Sequence, residues 1–570
     1  LFRYFYAQTL TRADAIKRML RRQSLPKGRT ILRRSDEEQR GQKGSLSPDM
    51  EALIDVIHDC RSEAVIYRSA IGSRMARLKK TKTGYFDKIS RRDSENVLGT
   101  LPSIFPEWLG SQSFLKRCDC RFAYVVGEMA RGIATSDMVV EAVKAGFVGF
   151  FGSAGLKPSL VAKAIHDIRR QVEGDSAWGM NLIHSPDRPE QESQMIDLFL
   201  REKIRNVSAS AFMTLSKEIV RYSAAGLARG KMGEINRATN VFAKVSRPEV
   251  AKAFLTPPPF VMLKELVNEG AISEEQAEFH SKLPTAEFLT VEADSGGHTD
   301  GRPLTSLFPT IAEVRDRAVR EYNYPNAILL GAAGGIGTPT AAAAAFALGA
   351  DFIVTGSVNQ SATESGLSND ARALLCNAEI SDFGMVPAAD MFEVGAKVQV
   401  LKRGTMFGVT AQRLQDFYRR YSCFADFTDR DKQWLEEKVL RMSFEEAWQQ
   451  ARSYHSAYNQ KLCVRADTDD RTKLALVFKR FLFQASKWAR DGVTDRRSDY
   501  QIWCGPAMGA FNEWVRGSFL NDPKRRTVRQ IGLNIMEGAA MAVRAQQCRS
   551  LGVFVPSTFF SSSPQILDLA

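Results

Sequence analysis

A histidine that directly follows two glycines is the sharpest chemical feature of the sequence, within residues 292–300 (EADSGGHTD). Glycine lets the backbone approach a flat ligand, and an imidazole can donate a proton or polarise a carbonyl near neutral pH. Of the six histidines in the chain, His298 is the one placed in this way. The pattern predicts that His298 is catalytic and that Asp294, Gly296 and Gly297 line a ligand. A histidine that only hydrogen-bonds neighbouring backbone remains the alternative.

Glycine clusters follow the next two apolar segments, at residues 331–339 (GAAGGIGTP) and 355–357 (TGS). Glycine N–H groups can approach an anion closely, and a helix that begins near residue 338 adds its positive dipole end. One such cluster alone is more typical of a tight turn, but two at adjacent strand ends favour a phosphate site. The residues predicted to form it are Gly334, Gly335, Gly337, Gly356 and Ser357.

Three earlier segments supply further candidate ligand contacts. Gly127, Met129 and Ala130 end one apolar segment and could lie against a ring face. Asn181 offers a carboxamide that both donates and accepts hydrogen bonds. Lys244 could neutralise negative charge on a bound ring. Core packing or an ordinary surface charge is the alternative for each of these residues.

The elements that must position these residues alternate regularly from about residue 121 onward. Short apolar segments alternate with amphipathic helical ones, which is typical of β/α units around a parallel sheet. The eight candidate strands are residues 122–127, 147–152, 178–183, 206–212, 240–245, 287–293, 327–332 and 352–356. Eight such units predict a (β/α)8 TIM barrel, with all the candidate residues at the carboxyl ends of its strands. An open doubly wound sheet ranks second, because no G-x-G-x-x-G motif opens the first unit.

The rest of the chain predicts additions to this α/β barrel. We expect a basic N-terminal extension over residues 1–95 and the barrel over 96–358. A helical insertion after strand 8, residues 359–500, is expected to cover the site as a substrate lid. Residues 501–570 are then expected to close the barrel, with a helix near 528–548 serving as its eighth helix.

Composition narrows the function classes. The 570 residues are 44% hydrophobic and 25% charged, which excludes a disordered or disulfide-scaffold chain. Lys and Arg (78) exceed Asp and Glu (65) by 13, so a polyanionic partner is expected. Eight scattered cysteines without paired C-x-x-C units predict no metal site and reduced thiols, as in the cytoplasm. No apolar run long enough to cross a membrane and no nucleic-acid-binding motif is found, so we expect neither partner.

Several longer motifs resemble the PfaD-type enoyl reductases, which act with polyunsaturated fatty acid synthases and trans-acyltransferase polyketide synthases. They are residues 105–110 (FPEWLG), 124–134, 149–156 (GFFGSAGL), 296–298 (GGH), 503–509 (WCGPAMG) and 511–514 (FNEW). The resemblance covers roughly residues 95–550. The wider 2-nitropropane dioxygenase-like superfamily includes flavin-binding barrels whose motif commonly reads Glu-Ala-Gly-Gly-His. Here Asp294 and Ser295 replace the Glu-Ala pair.

The resemblance implies FMN as cofactor and NADPH or NADH as reductant. It places the FMN phosphate at Gly334, Gly335, Gly356 and Ser357, and the ring near Met129, Asn181 and Gly297. The implied reaction delivers a hydride from the flavin to Cβ of a trans-2-enoyl thioester, while His298 is the candidate that protonates Cα.

The resemblance also implies partners. The substrate is expected on an acyl carrier protein, which is typically acidic and so suits the surplus of positive charge. A basic cluster in the insertion is either its contact or an ordinary solvated helix face: Lys473, Lys479, Arg480, Lys487 and Arg490. Other synthase domains and a second copy in a homodimer are further expected partners. Because the chain begins at Leu1 rather than Met, we expect a segment of a larger multidomain synthase.

Two other functions remain open from the sequence. A nitronate monooxygenase-type flavin oxidase would use the same histidine and cofactor. A non-catalytic synthase module would keep the barrel without a cofactor.

Overall fold

The computed structural model describes residues 48–69, 72–79, 97–186, 189–456 and 459–568. Much of the predicted basic extension, residues 1–47 and 80–95, lies outside the described residues. The described part of that segment contains helix α1 (Pro48–His58) and strands β1 (Ala64–Arg68), β2 (Arg74–Leu78) and β3 (Val97–Leu101). The three strands form an antiparallel sheet in the order β2-β1-β3.

Eight parallel strands close into a barrel in the order β10-β11-β13-β14-β4-β5-β6-β7. Their bounds are β4 (Tyr124–Val126), β5 (Val148–Phe151), β6 (Trp178–Ile183), β7 (Asn206–Ser210), β10 (Asn240–Val245), β11 (Phe288–Glu292), β13 (Leu329–Ala333) and β14 (Phe352–Thr355). Each strand overlaps one of the eight predicted segments, so the predicted TIM barrel is confirmed. The remaining short strands in this part are β8 (Leu227–Arg229), β9 (Ile235–Arg237) and β12 (Gly297–His298).

One helix precedes the first barrel strand, and the others follow the strands along the chain. They are α2 (Gln112–Cys118), α3 (Ser136–Lys144), α4 (Pro158–Arg169), α5 (Pro189–Arg201), α6 (Lys217–Ala225), α7 (Pro248–Leu255), α8 (Phe260–Asn268), α9 (Glu274–His280), α10 (Leu304–Tyr322) and α11 (Pro339–Ala347). Serine or threonine caps begin several of them; the Thr338 hydroxyl, for example, accepts a hydrogen bond from Ala341 N at the start of α11.

Alternate residues of each strand point into the barrel and fill it with aromatic rings. Phe242 and Phe288 stack with ring centroids 4.2 Å apart, and Phe150 and Phe352 pack against Phe242. Phe114 of α2 stacks on Phe352 at 4.5 Å, so this helix covers the amino-terminal end of the strands. The interior is therefore solid at one end, and ligands must enter at the other end, which we call the mouth.

The sequence analysis expected a helical insertion, but the insertion is not purely helical. It contains strands β15 (Phe383–Pro387) and β16 (Lys397–Leu401) and helices α12 (Asn369–Cys376), α13 (Phe407–Arg420), α14 (Asp429–Gln433), α15 (Phe444–Ser456), α16 (Gln460–Ala466) and α17 (Asp470–Asp491). The antiparallel β15–β16 hairpin adds β12 as a third strand, in the order β12-β16-β15. The Lys-Val-Gln-Val-Leu alternation of β16 has the period of a strand, which is the physical reason for the difference.

The insertion has a hydrophobic core of its own. Phe392, Phe407, Leu414, Phe478 and Leu482 are among its fully or nearly buried members. This core explains how the insertion can stay folded outside the barrel.

The C-terminal segment returns to the barrel through helices α18 (Ala507–Val515) and α19 (Val528–Ser550). Helix α19 packs between α11 and α3, which is the position of an eighth barrel helix. Among the described residues, no helix is both long and apolar enough to cross a membrane.

Candidate active site

Polar side chains occupy the inward positions at the mouth. The layers further inside the barrel carry phenylalanines instead. Asn181 lies in the second half of β6, and its Nδ2 donates to the Ser208 carbonyl and to Ser210 Oγ, both at 3.1 Å. The two serine hydroxyls in turn donate to Glu128 Oε1, at 2.8 and 3.0 Å. The predicted residue Asn181 is thus fixed at the mouth by hydrogen bonds on one edge of its amide.

Lys244 lies at the centre of a buried charge cluster. Its Nζ is 2.7 Å from Glu292 Oε1 and 3.4 Å from Glu128 Oε1. Burial lowers the pKa of Lys244, but the two carboxylates outweigh burial and hold that pKa above its ordinary value. Lys244 is therefore a fixed cation. Two carboxylates already balance its charge. The sequence analysis treated the Lys244 charge as available to a ligand and did not predict these partners.

His298 stands at the end of β12, on a backbone shaped by its neighbour. Gly297 has a φ of +81°, which few residues other than glycine adopt. His298 Nε2 lies 3.0 Å from a carboxylate oxygen of Asp390, a residue of the insertion. Burial opposes the charged imidazole, but the Asp390 hydrogen bond and the charges of Asp390 and Glu292 raise the pKa of His298 above its ordinary value. The side chain is 39% exposed, so it can reach both ligand and solvent.

Two contacts hold the loops around His298 in place. Gln399 of β16 donates to Asp294 Oδ1 at 3.2 Å, which ties that predicted residue to the insertion. Arg247 makes two hydrogen bonds to Asp300, at 2.8 and 2.9 Å, and Ser246 adds one at 2.6 Å. Hydrogen bonds from Arg247 lower the pKa of Asp300 to about 2, so this carboxylate stays charged at any physiological pH.

Four of the predicted ligand-binding glycines have packing reasons to be glycine. A Cβ on Gly296 would lie 2.7 Å from Cys504 Cα, and one on Gly337 would lie 2.1 Å from the Ala507 carbonyl oxygen. A Cβ on Gly334 would meet the Ala293 carbonyl carbon at 2.7 Å, and one on Gly127 would meet the Val354 side chain at 2.8 Å. The glycine type at these positions is explained by packing within the chain, without any ligand.

Gly335 and Gly356 differ, because a Cβ at either would meet no atom within 4 Å. Gly335 has a φ of +72°, at the turn between β13 and α11. The backbone N–H groups of Gly335 and Gly356 donate no hydrogen bond to another backbone group in the described part of the chain. The predicted residue Ser357 lies beside them, and its Oγ accepts from Gly505 N at 3.1 Å. Open space and free donors at two adjacent strand ends could hold an anion.

The remaining predicted contacts lie after β4. Met129 is 8% exposed, and its carbonyl accepts from Ala134 N at 3.1 Å. Ala130 is half-buried beside it. Both lie next to Glu128 and hence next to the charge cluster at the mouth.

The segment of residues 503–509 contributes side chains that were not among the predicted site residues. The Trp503 backbone bridges to Val400 of β16, and its carbonyl accepts from Gln360 Nε2 at 2.6 Å. The Arg131 guanidinium lies 5.1 Å from the centre of the Trp503 ring. The amide oxygens of Gln360 and Gln399 are buried without a hydrogen-bond donor in the described residues. Two amide oxygens without a hydrogen-bond donor therefore lie close to this segment. In the sequence, the only signal for the segment was its motif WCGPAMG.

A cleft of about 640 Å3 opens beside Asp300, where β10 and β11 end. Arg247, Arg302, Ser306 and Thr310 are among its lining residues. Asp300, which lines the cleft, is two residues from His298 in the sequence.

The basic cluster predicted in the insertion is largely neutralised within the chain. Lys479 is only 9% exposed and lies 3.0 Å from Glu393. Lys473 pairs with Glu445 at 3.1 Å, and Lys487 pairs with Asp491 at 2.7 Å. The structure therefore does not present these lysines as one free cationic patch.

Comparisons with known proteins agree with this architecture. Residues 421–500 match the family described as acyl-carrier-protein S-malonyltransferase, inserted helical domain. The chain is 42% identical over 438 residues to polyketide biosynthesis protein PksE of Bacillus subtilis (strain 168), covering 77% of this chain and 57% of that protein. It is 41% identical over 450 residues to a polyunsaturated fatty acid synthase polypeptide of Thraustochytrium sp., covering 78% of this chain and 30% of that polypeptide. The chain thus spans about half or less of the length of these relatives.

The comparison with solved structures includes a domain that this chain covers almost completely at 35% sequence identity. It is the enoyl reductase domain of MlnA from the macrolactin biosynthesis cluster of Bacillus amyloliquefaciens. The two chains are 35% identical with a TM-score of 0.74, over 78% of this chain and 99% of that domain. The resemblance inferred from the sequence motifs is confirmed: the chain belongs to the family of enoyl reductase domains of polyketide and polyunsaturated fatty acid synthases.

Proposed function

We propose that the chain reduces the α,β double bond of trans-2-enoyl thioesters with FMN as cofactor and NADPH or NADH as reductant. The observation that carries this proposal is the arrangement at the mouth. His298 follows barrel strand β11, and the open glycine positions Gly335 and Gly356 follow the next two strands of the barrel, β13 and β14. Family membership supports the same reaction. The substrate is proposed to arrive on an acyl carrier protein, in polyketide or polyunsaturated fatty acid synthesis.

The mouth fits FMN in charge and hydrogen bonding. Free backbone N–H groups at Gly335 and Gly356, near the start of α11, suit a phosphate. The unmatched amide oxygens of Gln360 and Gln399 suit a ring that carries N–H donors. These residues would hold the phosphate and the ring respectively. When bound, the chemistry that FMN supplies is transfer of a hydride from the nicotinamide to Cβ of the substrate.

The residues of the chain supply the proton and the polar surroundings. Among the described residues, His298 Nδ1 makes no hydrogen bond, while Nε2 faces Asp390. Nδ1 is therefore the nitrogen that can protonate Cα as negative charge develops on the thioester enolate. The Lys244 cluster and Asn181 fix the inner wall of the mouth, so that little reorganisation is needed when the ligand binds.

The insertion is proposed to act as the lid over the acyl chain. Its loop between β15 and β16 carries Met391 and Val394, which are 45% and 81% exposed. Exposed apolar side chains on the loop that carries Asp390 suit an acyl chain, and a closed lid would exclude water from the reacting atoms. We propose that the thioester reaches His298 through the cleft beside Asp300.

The FMN assignment is tested by Gly335→Asp. The new carboxylate would place negative charge and bulk where the phosphate is proposed to bind. We expect protein that folds but purifies without the visible absorbance of flavin and shows at least a hundredfold weaker binding of added FMN.

Gly270→Asp is the matched control. Gly270 also has a positive φ, of +67°, with no atom within 4 Å of a new Cβ, but it follows α8 and is not among the residues assigned to the site. This variant carries the same backbone strain and should stay yellow. If Gly335→Asp binds FMN as tightly as Gly270→Asp, the phosphate lies elsewhere. If the unsubstituted chain binds no FMN at all, the chain is a non-catalytic module.

A further inference from the structure

We propose that Asp390 of the insertion is a positioning residue for catalysis, which holds the His298 imidazole in its charged form with Nδ1–H directed at the substrate. The insertion then completes the active site in addition to covering it. This inference rests on the proposed function, in which His298 protonates Cα.

The backbone fixes Asp390 relative to His298 through a small sheet. Strand β16 pairs with β12, with Gly297 opposite Gln399 and His298 opposite Val398. Asp390 lies in the loop that joins β15 to β16, and this loop is closed by a hydrogen bond of 2.8 Å from Ala388 N to the Ala396 carbonyl. The histidine is therefore carried by one strand of this sheet, and its carboxylate by the loop that joins the other two strands.

The carboxylate is itself oriented. One Asp390 oxygen lies 3.0 Å from His298 Nε2, and Met391 N donates to Asp390 Oδ1 at 3.1 Å. A backbone hydrogen bond of this kind restricts rotation of the carboxylate, so the imidazole plane is restricted as well. With Nε2 directed at Asp390, the opposite nitrogen points away from the insertion.

Two carboxylates face His298, from different elements. Asp390 comes from the insertion and Glu292 from the end of β11, and Glu292 is already paired with Lys244 at 2.7 Å. Asp390 is therefore the carboxylate whose negative charge is matched by the imidazolium itself. The Asp390 side chain is 47% exposed, and its own pKa lies below the ordinary value because the hydrogen bond to His298 outweighs its partial desolvation.

The proton balance assigns Asp390 a definite step. As the hydride forms a bond to Cβ, the electron pair of the double bond moves onto Cα and the thioester carbonyl. The proton on His298 Nδ1 then bonds to Cα, and its N–H electron pair stays on the neutral imidazole. The half-exposed ring regains a proton from water before the next turnover, and the Asp390 carboxylate favours that uptake.

The test is Asp390→Asn, which keeps the shape and removes the charge. A carboxylate within hydrogen-bonding distance raises a histidine pKa, so we expect its loss to lower the His298 titration midpoint by about one pH unit. Because the acid must be protonated, kcat/KM falls as pH rises through that midpoint. In the variant this fall should begin about one pH unit lower, and activity on the alkaline side should be about tenfold lower.

The titration itself is read without activity, from the imidazole NMR signals of histidine-labelled protein. The chain has six histidines, and His298→Gln identifies the relevant signal by its disappearance. Asp416→Asn is the control, because Asp416 is an exposed carboxylate on α13 of the same insertion. It should move neither the signal nor the pH profile.

The outcomes separate this inference from the proposed function. An unchanged His298 midpoint in Asp390→Asn overturns the role of Asp390, whatever the activity. A lowered midpoint with an unchanged pH profile shows that His298 is not the proton donor, which overturns the inference through its premise. A lowered midpoint together with an equally displaced pH profile supports both.

Discussion

Lys244 makes a prediction at the scale of one residue. Its removal in Lys244→Met would leave Glu128 and Glu292 at the mouth without a cation between them. Breaking a buried ion pair by removing one partner costs about 3–5 kcal/mol, so we expect the free energy of unfolding to fall by about that amount in a denaturant titration at pH 7.

Lys282→Met is the matched control for this change. Lys282 pairs with Glu278 at 2.8 Å, but both side chains are 59% exposed and solvent screens the pair, so the loss should be far smaller than in Lys244→Met. The Lys244 contribution should be constant through neutral pH. It should be lost only as pH rises above the ordinary lysine value and through the raised pKa of Lys244. Equal losses in the two variants would contradict a buried cluster.

The glycines show that residue type alone does not distinguish a ligand-binding position from a packed one. Gly296 and Gly335 both follow strands, and both were predicted to contact a ligand. In the structure, Gly296 is glycine because the Cys504 backbone passes against it, whereas Gly335 borders open space. The packing partner of Gly296 lies 208 residues away in the chain, and no local pattern predicts such a contact. Only the folded chain distinguishes a glycine that packs from one that is free to bind.

The β15–β16 hairpin is the element that the sequence analysis missed. The two strands have five residues each and are set among helices, so their short alternation carried little weight. The hairpin supplies Gln399 to Asp294 and, through its connecting loop, Asp390 to His298. His298 could be predicted because its own neighbours mark it. Asp390 could not be, because its role depends on a strand pairing between distant segments.

A prediction at the same scale concerns how residues 503–509 pack over the mouth. In Gly337→Ala the new Cβ would lie 2.1 Å from the Ala507 carbonyl oxygen, so backbone must move. Overpacking of this kind costs about 1–3 kcal/mol. We expect a lower Tm by calorimetry and, because Trp503 belongs to the displaced segment, weaker FMN binding.

Gly99→Ala serves as the comparison for this substitution. Gly99 is in β3, where a Cβ would meet nothing within 4 Å. It should leave both Tm and FMN binding close to those of the unsubstituted chain. If Gly337→Ala has a Tm as high as that of Gly99→Ala, residues 503–509 do not pack tightly against the turn at Gly337.

At the scale of the whole molecule, the barrel was predictable because the sequence pattern that specifies each β/α unit is local and is repeated along the chain. Eight apolar segments with intervening helices each carry their own pattern, and a parallel sheet of eight such units closes. The active site draws on β12, β13, β14, the insertion and residues 503–509, which meet only in the folded chain. Strand-end residues such as His298 and Lys244 were therefore foreseen, while their partners were not.

The folded molecule also changes the interpretation of the net charge of +13, which the sequence analysis assigned to an acidic partner. The cluster on α17 that seemed suited to an acidic partner is mostly paired with carboxylates of the chain. An acyl carrier protein remains the proposed partner. Its contact surface has to be sought elsewhere, and the cleft beside Asp300, with Arg302 in its lining, is the first place to test.

The central claim, that the chain reduces enoyl thioesters through a bound flavin, is tested most directly by anaerobic reoxidation. The FMN-loaded protein is reduced with one equivalent of NADPH until its visible absorbance is bleached, and a short trans-2-enoyl thioester is then added. We predict return of the absorbance with one equivalent of saturated thioester formed, and at least a hundredfold slower return in His298→Ala. Absorbance that returns only with oxygen, or only with a nitronate and oxygen, would contradict the account.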